Sequence, residues 1–202
     1  MIKKTLYLLV ITLVILTSSS TASNLDSTLY TSNLKAYTWE PISDVENILQ
    51  YENPKNLTKR AIDQSKLAEE HYTSAVKLMK KKEYSSAINE FKSAMKRYKR
   101  AKLSDDGLNF IRLNMALCYA NSGNNEDIAL SKRFLNLLTS KIYSNNNWTY
   151  NTAIAHNKVG NFSEAASFLS SIIRKDEFNF QSYVTLEDIY RNSGNEKDAD
   201  KV

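Results

Sequence analysis

The sequence predicts an all-α chain built as a solenoid of helix–turn–helix repeats, and three observations carry that prediction. Laying residues 146–179 over 180–202 at an offset of 34 puts Gly160 on Gly194, Asn161 on Asn195 and Ala165 on Ala199, with the apolar positions broadly coincident. A fixed period of this length marks stacked units rather than a closed globule. The 202 residues include only 4 Gly and 2 Pro, so strands and hairpins have almost no punctuation. Within each copy the apolar residues recur at helical spacing on either side of a Gly-Asn turn.

The chain opens like a removable leader. Lys3 and Lys4 precede an apolar run from Leu6 to Leu16, broken by Thr12 alone, and Ser20-Thr21-Ala22 supplies small residues before a cut near residue 23. Such a run is too short to cross a bilayer, which needs about 20 apolar residues. A cleaved secretory signal is the expectation, and an uncleaved membrane anchor the alternative. Residues 24–40 are rich in Ser, Thr and Asn and read as an extended lead-in. Pro41 then opens a short helix to about Tyr51, with Ile42, Val45, Ile48 and Leu49 on one face. It ends at Asn53-Pro54, because a residue before proline avoids the helical region. Another helix starts near Leu57 and is expected to run into the first repeat, so 24–67 forms an N-terminal extension.

The repeats occupy 68–101, 109–145, 146–179 and, incompletely, 180–202. In the first, Ala75 and Ala87 let two helices approach while Tyr84 and Phe91 fill the space beside them. Its second helix is expected to continue to about Lys102, after which Asp105-Asp106-Gly107 breaks the chain. The second repeat begins near Asn109. Its turn, Gly123 to Asp127, is expected to hold about two extra residues, so that Leu130, Phe134, Leu137 and Leu138 form the second helix. The third matches best through Ala153, Gly160, Phe162, Ala165 and Leu169. In the fourth, Tyr183, Leu186, Tyr190, Gly194 and Ala199 repeat the pattern, and its second helix is only begun at Val202.

This arrangement resembles the tetratricopeptide repeat, a helix–turn–helix unit of 34 residues. Tyr84, Ala87, Phe91 and Ala94 in the first repeat, and Leu186, Tyr190, Gly194 and Ala199 in the last, stand at positions of that family's pattern. The resemblance covers about Ala68 to Val202, and departs from the pattern at Lys82, where glycine is usual, and at His71. It implies a right-handed solenoid of about three and a half repeats, with a peptide-binding groove along the first helices. Carried over residue by residue, the groove would be lined by Tyr72, Val76 and Lys80, then by Phe110, Leu113, Leu117 and Asn121. Tyr150, Ile154, Asn157 and Lys158 would follow, and then Val184, Asp188, Arg191 and Asn192. The carboxylate clamp of the chaperone-binding members is not expected, because its three positions hold Tyr72, Val76 and Asn114.

Composition narrows the function classes. The chain carries 27 Lys or Arg against 22 Asp or Glu, and loss of Lys3 and Lys4 would leave 25 against 22, which does not argue for nucleic acid. The positive charge is concentrated between Lys77 and Lys102. There Lys80, Lys81, Lys82, Lys96, Arg97, Lys99 and Arg100 stand with only Glu83 and Glu90 opposed. A solvated helix face is the plain reading of that run, and a surface for an anionic envelope lipid, polymer or protein the sharper one. His71 and His156 are far apart in sequence. No phosphate loop, closely spaced metal-ligand set or nucleophile–base arrangement is present in the sequence, so neither a cofactor nor catalysis is expected. The single Cys118 reads as a small core residue.

The function expected is therefore a non-catalytic, exported scaffold, periplasmic or secreted and in a bacterial setting. It would hold a protein or peptide partner in its groove, in envelope assembly or secretion. The alternatives are a binder of anionic lipid or cell-wall polymer, and a structural protein that self-associates through its unfinished last repeat.

Overall fold

A computed structural model describes residues 57–103, 105–138 and 146–202, all within the unit Trp39–Val202. The expected leader, lead-in and short helix at 42–51 lie outside these residues. The described residues are all-helical, without strands, and form eight helices. They are α1 (Lys59–Lys80), α2 (Tyr84–Arg100), α3 (Asp105–Ser122), α4 (Asn125–Leu135), α5 (Asn146–Lys158), α6 (Phe162–Lys175), α7 (Phe180–Asn192) and α8 (Glu196–Ala199). They pack in adjacent pairs, α1 with α2, α3 with α4, α5 with α6 and α7 with α8. Each pair also touches the next, through α2 on α3, α3 on α5 and α6 on α7.

Local chemistry explains the pairing. The turns after α1, α5 and α7 each place one residue in the left-handed region: Lys82 at φ 64, Gly160 at φ 80 and Gly194 at φ 76. Each then closes with a bond spanning five residues, from Glu83 N to Leu78 O, Asn161 N to His156 O and Asn195 N to Tyr190 O, at 2.8–3.0 Å. These are the Schellman closures of helix ends, in which a left-handed residue lets the chain reverse and satisfies the last carbonyls. The residue after the glycine then serves the next helix. Asn124 Oδ1 accepts from Asp127 N at 2.8 Å, and Asn195 Oδ1 from Asp198 N at 3.3 Å. At Gly123-Asn124 and Gly194-Asn195 the dipeptide thus ends one helix and caps the following one within two residues, whereas the Asn161 side chain turns to His156 instead.

Small residues set the spacing inside the first two pairs. Ala75 and Ala87 are fully buried between α1 and α2, and Phe91 beside them is closed off from solvent. Between α3 and α4 the small residue is Ser131, whose hydroxyl donates to Ala116 O at 2.8 Å. Without that bond a buried hydroxyl would cost about 1–3 kcal/mol. Two buried clusters result, one over α1 to α5 and one over α5 to α7, and Ile154 packs against both.

Three local expectations are corrected. The Asp105-Asp106-Gly107 stretch does not break the chain: α3 begins at Asp105 and Gly107 is buried in its first turn. Helix starts favour acidic residues, because the N-terminal end of the helix dipole is positive. The turn after α3 has no insertion, since Gly123-Asn124 is as short as Gly160-Asn161 and Gly194-Asn195, and the extra length follows α4. For the same reason Leu137 and Leu138 lie beyond the end of α4, with Leu137 exposed. The helix expected to start near Leu57 is α1, which runs without a break from Lys59 to Lys80.

Candidate partner-binding surface

The floor of the expected groove is core. Tyr72, Val76, Phe110, Leu113, Leu117 and Tyr150 are all buried, which corrects their placement on an open surface. Their packing shows why. Tyr72 meets Phe91 edge-on, with ring centroids 5.6 Å apart, and its hydroxyl accepts from Asn114 Nδ2 at 2.8 Å. Phe110 stands edge-on to Trp148 at 4.2 Å. The α3 helix that carries Phe110, Leu113 and Leu117 is buried at nearly every residue from Gly107 to Ala120, Arg112 alone being half-buried. A helix that is apolar on most of its faces is placed inside. The hydroxyl of Tyr150 is paired with Thr185 Oγ1 at 2.7 Å, joining α5 to α7.

The remaining groove positions are accessible. Asn121, Ile154, Asn157 and Val184 are half-buried, while Lys80, Lys158, Asp188, Arg191 and Asn192 are exposed. Apart from Ile154 and Val184 they occupy the last turns of α1, α3, α5 and α7, beside the turns that close each pair. Lys80, Lys158 and Arg191 there complement the negative ends of their helices. Arg191 is engaged within the chain: its guanidinium meets Glu187 at 2.9 Å, Glu196 at 2.7 Å and Asp200 at 3.5 Å. Asn121 Nδ2 donates to Leu117 O at 2.7 Å. Helical spacing does not separate this rim from the buried floor, because both follow it; only the charges of Lys80, Lys158 and Arg191 mark those three as outward-facing.

On the first helix pair, Lys80, Lys81, Lys82, Lys96, Lys99 and Arg100 are exposed. Arg97 differs: it is half-buried, and its Nη1 donates to Gln64 Oε1 at 3.2 Å. His71 Nδ1 lies 2.7 Å from Glu90 Oε2, fastening α1 to α2. The two cross-contacts, Gln64 to Arg97 and His71 to Glu90, fix the pair as antiparallel.

The other chemistry-bearing side chains are held by packing. His156 is buried at the end of α5, with Nδ1 3.2 Å from Asn161 Nδ2 and Phe168 centred 5.4 Å from its ring. Burial lowers its pKa below the ordinary histidine value, and the Glu164 charge pulls it partly back. Cys118 is fully buried, and that burial pushes its thiol up to about 12. A thiol so placed is not ionised at neutral pH and is a poor nucleophile. Among the described residues no group of three or more His, Cys, Asp and Glu could hold a metal ion, and no helix is long and apolar enough to cross a membrane. No protein-family model, curated protein or solved structure matches the chain.

Proposed function

We propose that this protein is a non-catalytic scaffold of tetratricopeptide type, a right-handed array that holds a protein or peptide partner. The observation that carries the reading is the recurrence of one device: helix pairs reversed by a left-handed residue, with three of the four turns reading Gly-Asn. A chain that repeats one such unit extends a surface along the stack, and its use is recognition. Because the apolar floor positions are core, the partner is assigned to the rim of Lys80, Asn121, Asn157, Lys158 and Asp188 with half-buried Ile154 and Val184. A polar rim around a few apolar side chains suits an amphipathic segment. The leader-like residues 1–23 support assigning this activity to the cell envelope, in assembly or secretion.

Site-specific photo-crosslinking in the native host tests the reading. A crosslinking side chain at Asn121, Asn157 or Lys158 should trap a common protein, while the same probe at exposed Lys132 or Ser167 should not. No adduct at the rim, or the same adducts at all five positions, would remove the rim as the binding surface.

A further inference from the structure

The net positive charge of the protein resides on one helix pair. From Lys59 to Lys102 there are thirteen Lys or Arg against five Asp or Glu, a net +8, whereas the whole chain has a formal net charge of +5. All other residues together are therefore net −3. On α2 the exposed Lys92, Lys96, Lys99 and Arg100 succeed one another at helical spacing, so they share one solvent face. The four form a cationic track roughly 12 Å long at 1.5 Å per residue, and exposed Lys81 and Lys82 stand in the turn before the helix starts. Among the described residues none of these six cations has an ion-pair partner, and Glu90 of the same helix is engaged with His71.

The track works against the helix that bears it. Lys92 with Lys96, and Lys96 with Lys99 and Arg100, are like charges three or four residues apart, which repel on a helix surface. Attraction to the helix dipole accounts for Lys99 and Arg100 in the last turn of α2, but not for Lys92 and Lys96 before it. Lys82 adds a second anomaly. It holds φ 64 at the turn where the other three pairs have glycine at φ 81, 80 and 76. A lysine is strained in that region and a glycine is not. The fold would be served by fewer cations here, and so the cations serve something else.

We propose that this face of α2 docks electrostatically on the surface of an anionic phospholipid bilayer. Three of its four cations are lysines, as are Lys81 and Lys82 beside it, compact point charges suited to a diffuse sheet of headgroup charge, whereas recognition of individual carboxylates favours the arginine fork. Protein interfaces centre on apolar or aromatic anchors, and this pair offers none. Among the described residues the exposed large apolar ones are Leu137, Phe178, Phe180 and Val202, all outside α1 and α2. Single-stranded nucleic acid is disfavoured by the same absence of an exposed aromatic on which a base could stack. Docking through α2 goes beyond the scaffold reading and does not depend on it: it presents the rest of the array at a membrane.

The test is co-sedimentation of the full chain with vesicles of phosphatidylcholine alone and with phosphatidylglycerol mixed in. The apolar leader can partition into both, so the measured quantity is the phosphatidylglycerol-dependent increment. One variant carries Lys92→Gln, Lys96→Gln, Lys99→Gln and Arg100→Gln. A control removes the same charge at exposed positions elsewhere, through Lys132→Gln, Arg133→Gln, Arg174→Gln and Lys175→Gln. The expected result is an increment in the native chain that vanishes at high salt and falls several-hundredfold in the α2 variant, each of the four cations near the surface being worth about fivefold. The control should keep most of it. No increment in the native chain, equal losses in both variants, or persistence in high salt would each overturn the proposal.

Discussion

Replacing Tyr72 by Phe removes one oxygen from the core and should be costly out of proportion to its size. In the native protein Asn114 Nδ2 donates to the Tyr72 hydroxyl at 2.8 Å, linking α1 to α3 across 42 residues. Asn114 is fully buried, and its carboxamide oxygen has no hydrogen-bond partner among the described residues. Tyr72→Phe therefore strips the amide of that bond while its other end is already unsatisfied. A buried polar group left unpaired in this way costs about 1–3 kcal/mol, whereas removing both partners together is nearly neutral. The single variant should lose that amount of stability, and the Tyr72→Phe, Asn114→Leu double variant should recover most or all of it. The opposing effects give a double-mutant cycle with a coupling term well above 0.5 kcal/mol, as expected for side chains in contact. Urea unfolding followed by circular dichroism, with constant m-values across the set, measures it. A Tyr72→Phe variant as stable as the native chain, or a double variant less stable than either single one, would refute the reasoning.

Three further outcomes are expected. Gly160→Ala should destabilise by about 1 kcal/mol through backbone strain alone, because φ is +80 and an added Cβ meets nothing within 4 Å; a denaturation midpoint equal to the native one would contradict this. Cys118 should resist alkylation at neutral pH until the protein unfolds, so labelling followed by mass spectrometry should track the urea transition. His156 has a folded-state pKa below its ordinary 6.5, so protons bind more readily to the unfolded chain. Its contribution to stability is then complete above about pH 6.5 and declines as pH falls toward the folded-state value, a slope that His156→Phe should flatten.

The helices and their turns were readable because each signal is local. Gly123, Gly160 and Gly194 were recognisable as chain reversals from the residues alone, and they hold positive φ. Where the sequence misled, a local cue had two meanings. Asp105-Asp106-Gly107 has the composition of a linker, yet acidic residues also open helices, and here they do. The extra residues of the second repeat were misplaced because spacing counts residues without saying on which side of α4 they fall. In the candidate site, charged Lys80, Lys158 and Arg191 could be placed outside on chemistry, while Tyr72, Phe110 and Tyr150 carry a polar edge or a large ring and fit a binding surface as well as a core.

That ambiguity divides what each level determined. The sequence by itself determined the all-helical character of the described residues, their reversal points and the concentration of positive charge before Lys102, since periodicity, glycine placement and charge are properties of neighbours along the chain. Only the tertiary structure decided that the apolar floor is core, that Asn114 is bonded to Tyr72, and that Arg97 turns to Gln64 while Lys92, Lys96, Lys99 and Arg100 face solvent. Burial and pairing depend on which distant helix arrives at a given face, and helical spacing, identical for a floor residue and a core residue, carries no record of that.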